Sequence, residues 1–200
     1  MSLFIESLKC LDGKPMNAGF HNDRMNEVRK RRFGRTDLLD LEKIIVVPEN
    51  IKSAIVKSRV IYSEGIVSVS SSLYLVRRPR TLKIVRNDEI DYADKYEDRS
   101  GLERLLRMRD SCDDIMIIKA GMVTDSSAAN IVFFDGKDYF TPSTPLLKGT
   151  KRRKFIEQGI IKEAEIREQD IFQFKEISLI NAMLEFGETR IPVDSQSVRK

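Results

Sequence analysis

The sequence predicts an α+β protein of two domains, a small α+β domain over residues 1–90 and a larger, strand-rich domain over residues 91–200. Three observations carry this. Short β-rich runs punctuated by Gly, Pro and Asp recur along the whole chain. Only a few stretches have helical spacing. Between residues 87 and 100, charged and turn-forming residues replace the apolar pattern, which places a domain junction there.

Residues 3–11 alternate weakly and end at Asp12-Gly13, a turn pair, so they form a strand. Residues 22–32 are polar, charged and free of breakers, as in a surface helix. Pro48-Glu49 opens a second helix to about residue 57, with Ile51, Ala54 and Ile55 on one face. Residues 59–63, 66–74 and 81–86 are β-rich runs separated by Gly65 and Pro79. Residues 101–110 form a helix with Leu102, Leu105, Leu106 and Met108 on or near its buried side. Ile115–Ile118 is a continuous apolar strand, returned by Ala120-Gly121 into Met122-Val123-Thr124. Ile131–Phe134 is another, closed by Asp135-Gly136 into Tyr139-Phe140-Thr141. Gly149 precedes a helix to about residue 158. Residues 161–167, 177–180 and 191–193 are the remaining strands.

Composition narrows the chemistry. The 41% hydrophobic and 33% charged content is a globular balance, and no apolar run approaches the ~18–20 residues that cross a bilayer. The first residues lack the features of a signal peptide, so a cytoplasmic location is expected. Cys10 and Cys112 form no metal-binding spacing. With His21 the single histidine, a multi-histidine metal site is excluded, and proton transfers fall to Lys, Tyr, Asp or Glu, or to an organic cofactor. Basic clusters at Arg29–Arg32, Arg77–Arg80 and Lys151–Lys154 suit a nucleic-acid binder, an enzyme for a dianion, or a solvated surface. The 31 acidic residues and the lack of a nucleic-acid-binding motif favour the surface reading.

Four pieces carry chemistry together. Asp125-Ser126-Ser127-Ala128-Ala129-Asn130 is an acid, a run of small residues and an Asn leading into an apolar strand, with little bulk to keep a planar ligand from the backbone. Thr141-Pro142 is followed by Leu146-Leu147-Lys148-Gly149-Thr150-Lys151-Arg152, where a helix start suits a phosphate. Asn181-Ala182-Met183 ends an apolar strand. His21-Asn22-Asp23-Arg24 lies in the first helix.

In order and spacing these pieces resemble the class IV aminotransferases, which include branched-chain and D-amino acid aminotransferases and 4-amino-4-deoxychorismate lyase. The resemblance begins at the first long strand, without the usual N-terminal hairpin, and is strongest from Asp114 to about Val193. It implies a D-amino acid aminotransferase-like fold, a homodimer, and pyridoxal 5′-phosphate (PLP) in the cleft between the two domains. It also implies site roles. Lys95, 30 positions before Asp125, would form the Schiff base and carry protons; Lys83 and Lys119 are its competitors. Asp125 would face the pyridine nitrogen, where the family more often has Glu. Arg24, Gly149 and Thr150 would hold the phosphate, with the hydroxyl moved one position from the family's Gly-Ile-Thr-Arg. Leu147 would pack on the ring, and Asn181 and Ala182 would sit by the phosphate or substrate. His21 would pack or cap near Arg24. Glu64-Gly65 stands where many members have Arg-Gly.

Asn181-Ala182-Met183 and Ala128-Ala129-Asn130 are closer to the lyase branch, which makes 4-aminobenzoate and pyruvate on the folate route. An aminotransferase for a branched-chain or D-amino acid is the alternative. A basic nucleic-acid-binding protein on the same scaffold is a third reading, with no cofactor.

Overall fold

The computed structural model describes residues 2–200 and contains two compact units. Residues 2–76 and 94–98 make the first; residues 77–93 and 99–200 make the second. The chain therefore passes between units three times, rather than once near residue 90.

The first unit is a four-stranded antiparallel sheet with helices. Its elements are β1 (Phe4–Leu11), β2 (Lys14–Pro15), α1 (Ala18–Phe33), α2 (Leu41–Ile44), β3 (Val56–Tyr62) and β4 (Ile66–Leu73), with sheet order β2-β1-β3-β4. Asp12 and Gly13 both have positive φ and join β1 to β2 in a two-residue hairpin. Phe4, Leu8, Met25, Val28, Leu41, Val56, Val60 and Tyr62 form the core. α1 ends at Gly34 in the left-handed region, and Lys30, Arg31 and Arg32 occupy its last turn, where positive charge complements the helix dipole.

The helix expected after Pro48 is only a 3₁₀ turn, Glu49–Ile51. β3 starts at Val56 instead, because Val56, Ser58, Val60 and Tyr62 alternate inward between β1 and β4. Sheet pairing on both edges outweighs a single apolar helix face.

The second unit follows with β5 (Leu82–Arg86), α3 (Ser100–Arg107), β6 (Asp114–Lys119), β7 (Met122–Ser126), β8 (Asn130–Phe134), β9 (Tyr139–Pro142), α4 (Thr150–Glu157), β10 (Lys162–Ala164), β11 (Glu176–Ile180), β12 (Ile191–Pro192) and β13 (Val198–Arg199). Its mixed sheet runs β10-β9-β8-β7-β6-β5-β13, with β11 pairing both β8 and β12. β5 belongs here, not with the first unit, because it pairs with β6 in parallel along its whole length. Ala120 and Gly121, both at positive φ, close the β6–β7 hairpin. Leu102 and Leu105 of α3 are buried, but Met108 is exposed because the helix stops at Arg107. The strand expected over residues 161–167 is three residues long, paired on β9 alone. The fold is the mixed, sheet-rich and helix-poor class that the sequence predicts.

Candidate active site

In the first unit the centre is a carboxylate. Phe4, Glu6, Leu8 and Cys10 share one side of β1 by the period of two, and all are buried. Glu6 is the one charge among them. On α1, His21 and Arg24 are three residues apart and so lie on one helical face. Both reach Glu6. His21 Nδ1 lies 2.6 Å from Oε2, Arg24 Nε donates to Oε1 at 2.8 Å and Arg24 Nη2 to Oε2 at 2.5 Å. Burial alone would raise the Glu6 carboxyl. The Arg24 charge, then the bonds from His21 and Arg24, more than reverse this and hold it down at about 2. Burial pushes His21 the other way, below the ordinary imidazole range, against the pull of Glu6. At neutral pH an ionised Glu6 only accepts, so a neutral His21 donates from Nδ1.

Lys95 belongs to this unit. Its carbonyl accepts from Ile5 N at 2.9 Å, Tyr96 bridges Phe4, and Glu97 N donates to Leu3 O at 2.9 Å. The side chain is half-buried, and its charge adds a small downward push on His21. Its competitors are engaged elsewhere, in the second unit. Lys83 Nζ pairs with Asp110 at 2.8 Å, and Lys119 Nζ donates to Ile90 O at 2.6 Å.

In the second unit Asp125, on β7, faces Asn130 at the start of β8. Asn130 Nδ2 donates to Asp125 Oδ1 at 2.7 Å and to Leu147 O at 2.8 Å; Leu147 N donates to Asp125 Oδ2 at 2.9 Å. The carboxylate and amide thus fix both main-chain groups of Leu147, two residues before the N-cap of α4 at Gly149. Burial pushes the Asp125 carboxyl up to about 6, against the Leu147 N–H, the Asn130 amide and the nearby Arg152 charge. Thr150 opens α4 and is buried, and no acidic residue occupies the first turn. Asn181 braces the small-residue turn. Its Nδ2 donates to Ala128 O at 3.1 Å, while its Oδ1 accepts from Met183 N at 2.9 Å and Leu184 N at 3.0 Å. Ala182, in the bend that follows β11, is half-buried.

The predicted residues thus divide between the units: Arg24, His21 and Lys95 in the first; Asp125, Leu147, Gly149, Thr150, Asn181 and Ala182 in the second. Glu6 is not among the residues singled out by the sequence motifs, though a lone carboxylate on an apolar strand face ahead of His-x-x-Arg is a usable signal. The basic clusters are mostly exposed, as the sequence predicts, with three buried exceptions. Arg29 is buried on Glu64 O and Asp37. Lys151 is buried on Leu184 O and Glu185, and Arg152 on Pro142 O and Glu163. These three buried cations are held by carbonyls and carboxylates of the protein, while Lys30, Arg31, Arg32, Arg77, Arg78, Arg80 and Arg153 are exposed.

A model of the amino-transferase class IV family matches residues 96–190, starting one residue after Lys95. A crystal structure from Haemophilus somnus 129PT, provisionally named 4-amino-4-deoxychorismate lyase, has a TM-score of 0.83 at 34% identity, covering 92% of this chain and 97% of that one. The chain belongs to the class IV aminotransferase family. An uncharacterized protein of Haemophilus influenzae is 37% identical over 180 residues, 89% of this class IV chain and 96% of the relative. A hypothetical aminotransferase from Mycobacterium tuberculosis, solved in a PLP-bound form, shares the fold with a TM-score of 0.76 at 18% identity, covering 98% of this chain and 81% of that one.

Proposed function

We propose that this class IV protein binds PLP and acts as a lyase, converting 4-amino-4-deoxychorismate to 4-aminobenzoate and pyruvate on the folate route. The observation that carries the reading is the likeness, over nearly the whole length of both chains, to the Haemophilus somnus protein provisionally given that name. The Asn181–Ala128 bond supports it, since it ties together the two segments that resemble the lyase branch.

The residues fit the cofactor. Asp125 is a buried carboxyl, oriented by two donors, of the kind that holds a pyridinium nitrogen. A Cβ at Gly149 would collide with Asn130, so the loop before α4 is compressed to backbone there. Arg152, whose charge acts on Asp125, has a buried Nε–H with no hydrogen-bond partner among the described residues.

PLP, when bound, supplies an electron sink for the carbon bearing the substrate nitrogen. The protein does the rest. Asp125 would face the pyridine nitrogen and keep it protonated. In the first unit Arg24, its guanidinium plane fixed by Glu6, would be a phosphate ligand; in the second, the N–H groups at Gly149 and Thr150 would serve the same group. Leu147 would pack on the cofactor ring, and Asn181 and Ala182 would sit by the phosphate or substrate. Lys95 would anchor the cofactor, and its amine would take the proton from the substrate ring carbon that bears the amino group and give one to the departing enolpyruvyl fragment. Aromatisation of the product drives the step. The same reading makes the protein a cytoplasmic homodimer; no helix among the described residues is long and apolar enough to cross a membrane.

The test is pyruvate release from 4-amino-4-deoxychorismate by the PLP-loaded protein, followed with lactate dehydrogenase. Release of pyruvate and 4-aminobenzoate in equal amounts is expected. No pyruvate, together with amino-group exchange between a branched-chain or D-amino acid and a 2-oxo acid, would replace this reading by an aminotransferase.

A further inference from the structure

We propose that Asp94 is a positioning residue for Lys95, acting through a grip by Arg31 and Arg32 that fixes the lysine's main chain beside β1. The proposal rests on the reading of Lys95 as the cofactor lysine.

Residues 94–98 are a short excursion. The chain on either side, 77–93 and 99 onward, packs in the second unit, whereas these five residues pack in the first. They form no regular strand; one bridge, Phe4 to Tyr96, is all the ladder they make. Main-chain bonds join Lys95 O to Ile5 N and Glu97 N to Leu3 O, and Tyr96 N folds back on Asp94 O, each at 2.9 Å. A short segment without a regular ladder depends on its side-chain ties to hold its place.

The Asp94 carboxylate adds what the ladder lacks. Its side chain is 2% exposed, while Arg31 and Arg32 are 48% and 42% exposed. Arg31 Nη2 donates to Oδ1 at 2.5 Å and Nη1 to Oδ2 at 3.3 Å; Arg32 Nε and Nη2 donate to Oδ2 at 2.8 and 2.6 Å. Arg32 Nη2 also donates to Tyr96 Oη at 3.2 Å, and the Tyr96 ring packs on Phe4 at 5.3 Å. The lysine's two neighbours are therefore tied to the last turn of α1. That helix also carries Arg24, seven residues before Arg31, or about 10 Å along the axis at ~1.5 Å per residue. One rigid element thus spaces the proposed phosphate ligand from the anchor of the lysine backbone. A lysine amine on four rotatable bonds gains precision chiefly from a fixed Cα, and small misplacements slow a reaction strongly.

The test compares wild type with Asp94→Asn by two probes. The first is the rate at which added PLP becomes fixed to Lys95 under borohydride, read by peptide mass spectrometry. The amine and aldehyde condense with loss of water, and borohydride delivers hydride to the C=N bond. The second is the affinity for pyridoxine 5′-phosphate, which lacks the aldehyde and needs no lysine. The proposal predicts fixation slowed about tenfold at the high-pH plateau, with pyridoxine 5′-phosphate affinity unchanged. An unchanged plateau overturns it, as does a curve merely displaced along the pH axis, which would be a charge effect. Equal loss on both probes would mean general disruption and also overturns it. Failure of wild type to label at Lys95 would instead sink the reading of Lys95, and this proposal with it. Should Asp94→Asn not fold, Arg32→Gln, at a half-exposed position, decides by the same split: slowed fixation with intact binding supports the proposal, and any other result overturns it.

Discussion

Asn130 Oδ1 lies 2.0 Å from the point where a Cβ on Gly149 would fall. Asn130 has no room to turn away, because its amide nitrogen is held by both Asp125 and Leu147 O. Gly149→Ala must break one of these bonds or push α4 outward. A loss of about 1–3 kcal/mol is expected from overpacking. Urea denaturation checks it, and a variant as stable as wild type would show that the contact relaxes freely.

Asp125 favours the folded state more in mild acid than at neutral pH. Its folded value of about 6 lies above the ordinary Asp value of ~3.9, so the folded state binds the proton more tightly than the unfolded one. The contribution is complete below about pH 4 and is lost as pH rises through 6, for a total of about 3 kcal/mol. Denaturant stability of cofactor-free wild type minus Asp125→Asn should therefore fall between pH 4 and 7.5. A flat difference would contradict the burial argument.

Glu6 works with the opposite sign. Its folded value of about 2 lies below the ordinary carboxylate value, so its stabilisation is full above about pH 4.5 and is lost as pH falls toward 2. Glu6→Gln leaves Arg24 and His21 facing a neutral group and is expected to cost about 3 kcal/mol at neutral pH. The deficit should be level from pH 5 to 8 and shrink only in acid. A variant of wild-type stability at pH 7 would mean that Arg24 finds another partner at no cost.

Lys151 is expected to matter through its amine. It is buried, and Nζ bonds Leu184 O at 2.7 Å and Glu185 at 3.0 Å, tying α4 to the turn that follows Asn181. Lys151→Met keeps the stem but leaves a buried carbonyl unpaired, a loss of roughly 1–3 kcal/mol. Lys154→Met, in the last turn of the same helix, serves as the comparison; equal effects of the two in urea would contradict the buried role.

Much of the fold was legible because its signals are local. Asp12-Gly13 and Ala120-Gly121 mark hairpins whose residues take positive φ, and Ile115–Ile118 and Ile131–Phe134 are apolar runs that become buried strands. What escaped depends on partners distant in sequence. The stretch after Pro48 has a helical face, yet β1 and β4 draw Val56–Tyr62 into the sheet. β5 reads like the strands before it, but its partner β6 begins 28 residues after it ends. Within the site, the Asp125–Asn130 pair is five residues apart and visible as a motif. The Glu6–Arg24 and Arg32–Asp94 pairs, 18 and 62 residues apart, are not. Charged clusters hide their buried members for the same reason, since sequence alone does not tell a buried Arg29 from its exposed neighbours Lys30, Arg31 and Arg32.

The central claim is that Lys95 carries PLP. The direct measurement is the near-visible absorption of wild type and Lys95→Ala after PLP addition, each with and without borohydride. The account predicts a band in wild type that borohydride converts to a permanent attachment at Lys95, and no such band in the variant. No band in either protein, or the same borohydride-fixed band in both, would contradict it.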